Sequence, residues 1–162
     1  KRAPSEGFVS VSIVEKMIFI KFGSYKFTSV LIDGMFPNYR RVIPESQTYN
    51  FQVEKADLQN ALKRVGLLVD KKSPRIYLEV STGKLTITSQ ETEIGTAKEE
   101  IPCRYDGEEI VIAVNYVHID EPLKVMNSEK ITFEFTGNLK AITLRPEPAE
   151  DYFHIIMPMQ ME

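Results

Sequence analysis

The sequence predicts an α+β fold built from repeated units, each a helix followed by three antiparallel strands, in about two and a half copies. Three observations predict it. Short segments alternate apolar and polar residues, only two stretches carry helical spacing, and separate blocks of the chain resemble one another.

The opening block, VSVSIVEKMIFIKFGSYKFTSVLI (9–32), reads as three strands. Apolar residues at Val9, Val11 and Ile13 mark a strand with one face on a core and one in water. The same period returns at Ile76, Leu78 and Val80, and again at Ile131, Phe133 and Phe135. Turns are expected at 14-VEKM-17, 81-STGK-84, 105-YDGE-108 and 136-TGN-138, with glycine supplying positive φ. Between the first two strand blocks lies LIDGMFPNYRRVIPE (31–45). Its glycine, prolines and paired arginines read as a connector, although Phe36, Tyr39, Val42 and Ile43 are more than a solvated linker needs.

From Glu54 to Val69, Leu58, Ala61, Leu62, Val65 and Leu68 fall on one helical stripe, opposite Lys55, Asn60, Lys63 and Arg64. A second helix starts at the N-cap residue Asn115 and aligns Ile119, Leu123 and Met126, with Pro122 expected to kink or shorten it. IYLEVSTGKLTIT (76–88) and ITFEFTGNLKAITL (131–144) share strand, turn and strand, and each leads through an acidic segment to a third strand. A helix precedes each of these blocks, whereas none precedes the first. The tail IIMPMQME (155–162) is apolar where chain ends usually turn polar, and its soft Met side chains suit an adaptable groove or a last core strand.

Composition narrows the function. With 43% hydrophobic and 27% charged residues, the chain buries a real core. A net charge of −3 makes no global case for nucleic acid, though a basic face fits inside an acidic total. One cysteine, Cys103, excludes an internal disulfide framework and fits a reducing, cytoplasmic setting. No apolar run approaches the ~18 residues of a membrane span, and no signal-peptide pattern opens the chain. The start, KRAPSEG, lacks an initiator Met, so a fragment of something longer is expected. No phosphate loop, nucleophile elbow, paired-Cys motif or HExxH is present, which argues against an enzyme and against a metal or other cofactor. His118 and His154 are distant in sequence and read as packing or surface residues. Adjacent Glu99 and Glu100 point to opposite faces of a strand.

Three motifs carry a family resemblance. DGMFPNYRRVIP (33–44) resembles the connector of the bacterial DNA polymerase III beta subunit, the sliding clamp. VNYVHI (114–119) resembles that family's second helix start, and IIMPM (155–159) its C-terminus. The match runs in order over essentially the whole chain. It implies DNA-clamp, or processivity-fold, units with helices facing a central hole and sheets outside. On that reading residues 1–39 are the C-terminal half of the middle clamp domain, 40–44 the interdomain connector and 45–162 the C-terminal domain.

The resemblance further implies a non-catalytic processivity factor. Such a factor is a homodimeric ring when full-length, and it encircles duplex DNA without sequence preference. It tethers the DNA polymerase III catalytic subunit, the clamp loader and repair proteins, which dock through short linear peptides. The peptide cleft would take Pro37, Arg41, Val42, Asn115, His118, Leu139 and Ala141, with Ile155, Ile156, Met157, Pro158, Met159, Gln160 and Met161 closing its floor. Lys55, Lys63, Arg64 and Lys124 would face DNA, and Leu67, Leu68 and Glu99 would meet the partner subunit. The sequence departs from the family at Asn38, usually Asp, and at Ser73 and His118, often aromatic. An unrelated α+β peptide-binding scaffold remains the alternative, and an enzyme using Asp33, Arg40 and Arg41 on a phosphorylated substrate is a third class.

Overall fold

Alternating segments 9–14, 17–22 and 25–30 form an antiparallel meander, β1 (Val9–Val14), β2 (Met17–Phe22) and β3 (Tyr25–Val30), in spatial order β1-β2-β3. The structure, a computed structural model, describes residues 6–161. Lys1 to Ser5 and Glu162, the outer ends of the KRAPSEG opening and of the tail, lie outside the described residues. The turn 14-VEKM-17 holds its left-handed position at Glu15 (φ 51°) rather than at a glycine, whereas the β2–β3 turn uses Gly23 (φ 54°). Register places Val11, Ile20 and Phe27 in one cross-strand row, with Val9, Phe22 and Tyr25 on the same face. That face has no cover within its own unit: Val11 is 57% exposed and Phe27 54%.

The chain divides into two compact units, one ending at Tyr39 and one starting at Arg40. The second unit contains two copies of one pattern. The first copy is β4 (Tyr49–Glu54), α1 (Lys55–Val65), β5 (Arg75–Ser81), β6 (Lys84–Ser89) and β7 (Lys98–Pro102). The second is β8 (Ile110–Asn115), α2 (Tyr116–Leu123), β9 (Lys130–Phe135), β10 (Ile142–Glu147) and β11 (His154–Ile156). The repeat therefore has a strand before each helix, which the expected helix-plus-three-strand unit lacked.

Those leading strands are exchanged. The sheets run β11-β10-β9-β4 and β7-β6-β5-β8, so β4 completes the sheet of the second copy and β8 that of the first. The missed strand has a physical reason. YNFQVE runs straight into helical sequence with no turn residue to mark a boundary, and no glycine or proline punctuates it.

Both sheets bury their inner faces under two helices that pack against each other. Phe51 and Phe133 stack at 4.6 Å between ring centres, and Leu58, Leu62, Ile119 and Leu123 are fully buried from the helix side. Each such side chain contributes about 1.5–3 kcal/mol by leaving water. Helix α1 stops at Val65 rather than at the expected Val69. Gly66 caps it, donating its N–H to the Leu62 carbonyl at 2.8 Å. Its φ is ordinary (−59°); glycine is needed because a Cβ would stand 2.8 Å from the Tyr116 ring, where α2 crosses closely. Helix α2 is capped as expected, with Asn115 Oδ1 accepting from the Val117 N–H at 2.9 Å, and it ends one residue after Pro122.

Candidate functional site

The apolar tail is pinned at two places. Strand β11 pairs with β10 through Ile142–Ile156 and Leu144–His154, which buries Ile156. Three residues later the Met159 N–H donates to the Ala113 carbonyl of β8 at 2.7 Å, so the tail crosses from the edge of one sheet to the edge of the other. Between and beyond these anchors Met157 stays 63% exposed and Met161 44%. A core strand accounts for Ile156 alone; the methionines line a surface.

Helix α2 packs against β11 and β8 and brings Asn115 and exposed His118 to this surface. Leu139, exposed, and Ala141, half-buried, precede β10. Gln47, which sequence reasoning missed, donates Nε2 to both the Glu134 and Ala141 carbonyls at 2.8 Å. It thereby ties the segment after the connector to β9 and to the start of β10. No spacing rule marks such a residue; only its place just after a proline-rich turn sets it apart. Arg41 and Val42 lie exposed on the 3₁₀ turn Tyr39–Val42 and form no hydrogen bond with the tail among the described residues. Pro37 belongs to the first unit, where it is exposed and its carbonyl accepts from the Tyr39 N–H.

His154 and His118, distant in the sequence, come together in the fold. On β11 under α2, burial pushes the His154 pKa below the ordinary histidine value. Neighbouring His118 pushes the same way, and Glu121 opposes both. The two rings therefore share one electrostatic neighbourhood, because the strand folds back beneath the helix.

The basic residues are mostly engaged. Arg64 forms a two-pronged pair with Glu99, Nε to Oε1 and Nη2 to Oε2, both 2.8 Å. This bond raises the arginine's pKa and lowers the carboxylate's. Lys124 pairs with Asp120 at 2.5 Å, which raises its pKa, and Lys55 donates to the Met126 carbonyl. Lys63 alone of the four holds neither an ion pair nor a side-chain hydrogen bond among the described residues. Residues assigned from the sequence to different surfaces, Arg64 toward DNA and Glu99 toward a partner subunit, thus hold each other across α1 and β7. Leu67 is 78% exposed past the end of α1. Leu68 is half-buried at the mouth of a cavity of about 770 Å³ that also takes Ser73 and Ile94. Among the described residues no group of three or more His, Cys, Asp or Glu side chains is placed to hold a metal ion.

Residues 40–160 match the family model for the DNA polymerase III beta subunit, C-terminal domain. The chain belongs to the DNA polymerase III beta-subunit family. Within that family it is 51% identical to the beta sliding clamp of Treponema pallidum over the whole of this chain, which spans 45% of that relative. The structure superposes with a TM-score of 0.82 on the beta subunit of Borrelia burgdorferi, solved with a natural product, at 28% identity over 97% of this chain and 42% of the other. It also superposes with a TM-score of 0.80 on the sliding clamp of Pseudomonas aeruginosa bound to griselimycin, at 27% identity over 94% of this chain and 42% of that one. The chain thus covers under half the length of these beta-subunit relatives. No described helix is long and apolar enough to cross a membrane.

Proposed function

We propose that the chain is part of a sliding-clamp processivity factor of DNA replication. The longer protein encircles duplex DNA as a two-subunit ring, catalyses nothing itself, works in the cytoplasm and needs no cofactor. It tethers the DNA polymerase III catalytic subunit, the clamp loader and repair proteins by short linear peptides. Residues 1–39 belong to its middle domain, 40–44 to the connector and 45–162 to its C-terminal domain.

The observation that carries this reading is the doubly anchored tail with its exposed methionines beside α2. A surface fixed in place by backbone bonds, with soft thioether side chains standing out, accepts apolar side chains of varied shape. Asn115, His118, Leu139, Ala141 and the tail form the groove, with Arg41 and Val42 supplying its connector side. Duplex DNA is held loosely by Lys63, with Lys55, Arg64 and Lys124 contributing only as far as their internal bonds release them. Few phosphate contacts imply affinity weaker than about 100 μM at physiological salt, without sequence preference. Leu67 and Leu68 meet the partner subunit, with Glu99 beside them.

Calorimetric titration with griselimycin, the compound bound to the Pseudomonas clamp, and with a short Gln-, Leu- and Phe-rich peptide tests the groove. Met157→Ala, at an exposed position, should weaken both by about tenfold, or 1.4 kcal/mol, with an unchanged melting curve. Removing Met157 to Glu162 should abolish binding. Full affinity after that removal refutes the assignment.

A further inference from the structure

The closed unit has two seams built alike. Gln52 and Ala113 are the fourth residues of β4 and β8, and each bridges to a residue just beyond the last strand of its own repeat, Arg104 and Met159. Each seam carries one bridge, and beyond its bridge the seam at Gln52 lies open.

At the open seam Gln52 exchanges both backbone hydrogen bonds with Arg104, at 3.2 and 2.8 Å. Along a strand, alternate residues direct N–H and C=O to the same edge. Asn50 therefore points its backbone groups toward this seam and away from β9. A continued ladder would set Asp106 opposite Asn50, but the chain has turned off. Gly83 donates to the Tyr105 carbonyl at 3.1 Å, and the Tyr105 hydroxyl donates to the Glu108 carbonyl at 2.7 Å. Gly107 makes the turn possible, since a Cβ there would lie 2.5 Å from the Tyr105 hydroxyl oxygen. Among the described residues no backbone bond fills the place opposite Asn50. A cavity of about 510 Å³ opens there, lined by Thr48, Asn50, Arg104, Asp106 and Thr132 among others. Arg104 is exposed and has no ion pair among the described residues.

We propose that this open edge of β4 is a second docking site, on which an extended peptide segment of a partner protein adds as a short strand with a carboxylate side chain on Arg104. A free strand edge is a template for pairing, and strand addition satisfies its N–H and C=O directly. The charges set the order of side chains. Arg104 takes an acid, while Asp106, two residues along the same wall, repels a second acid and accepts an ammonium. Residues two apart in an extended peptide face the same side, so the matching segment reads acid, any residue, base. The site is separate from the tail groove and does not depend on that groove's function.

Amide-resolved NMR of the whole chain tests it with three capped pentapeptides, Thr-Glu-Thr-Lys-Thr, Thr-Lys-Thr-Lys-Thr and Thr-Glu-Thr-Glu-Thr. The first, at millimolar concentration, should shift the Asn50 and Arg104 amides and slow exchange at Asn50. It should also slow modification of Cys103, the only cysteine, which lines the same cavity. Arg104→Glu should weaken that binding about tenfold. Asn50→Pro should remove it while keeping the rest of the amide spectrum, because that N–H takes no part in the β9 ladder. Griselimycin should not compete. Equal shifts from all three peptides, no shift at Asn50, or undiminished binding by Arg104→Glu overturns the proposal. So does protection of Asn50 without peptide together with a doubled mass, which would make a second copy of this chain the occupant.

Discussion

The meander β1–β3 and the meander β5–β7 start from nearly the same sequence pattern and end in different surroundings. In the second, Ile76, Leu78, Val80, Leu85 and Ile87 are buried to 1% exposure or less beneath α1 and the facing sheet. In the first, the equivalent row around Val11, Ile20 and Phe27 stands uncovered within its unit. The leading strands alternate alike, with Val9, Val11 and Ile13 in β1 and Ile76, Leu78 and Val80 in β5. Period two specifies which face of a strand is apolar, while burial depends on whether another layer is there to meet it.

The largest effect that separates the two meanders is a core truncation. Leu78→Ala should cost about 2–5 kcal/mol, because rigid neighbours leave a cavity, whereas Phe27→Ala should cost less than about 1 kcal/mol in this chain. Chemical denaturation of both variants checks the contrast, and similar losses would mean that the β1–β3 face is covered in solution. A smaller effect compares the helices. Asn115 caps α2 with a side-chain bond, while Glu54 makes none at α1. Asn115→Ala should therefore cost about 1 kcal/mol, read from the unfolding midpoint, and Glu54→Ala should cost less.

The smallest is pH-dependent. His154 has a folded pKa below its unfolded value near 6.5, so the unfolded chain binds more protons as pH falls. Stability should be complete above that value and decline as pH drops through it, and His154→Gln should flatten this part of the curve. A curve of unchanged slope would place the ring in water.

Much of this architecture was legible in the sequence because it depends on local spacing. The stripe Leu58, Ala61, Leu62, Val65 and the cap at Asn115 declare their helices, and the paired blocks at 76–88 and 131–144 declare the repeat. What stayed hidden depends on distant partners. Nothing local to YNFQVE says that its mate is β9 rather than β5, and nothing near Arg64 says that Glu99 will hold it. Gln47 and His154 escaped for the same reason. Their roles are set by a carbonyl and a helix that the fold brings from far along the chain. The end of α1 was misplaced by four residues because Val69 packs against the core and keeps the apolar rhythm going past the last helical turn.

The exchange of leading strands also sets a schedule for synthesis. Gln52 of β4 meets Thr132 of β9 only 80 residues later in the chain. At a bacterial ribosome's pace of about 5–20 residues per second, β4 waits roughly 4–16 s after its own emergence before its sheet neighbour appears. During that interval Phe51 and Val53 have no sheet to join, whereas β5–β7 gain β8 soon after β7 is made. One sheet can therefore assemble as soon as β8 emerges, while the other waits for β9 to β11. Until then the waiting strand is a natural client for a ribosome-associated chaperone.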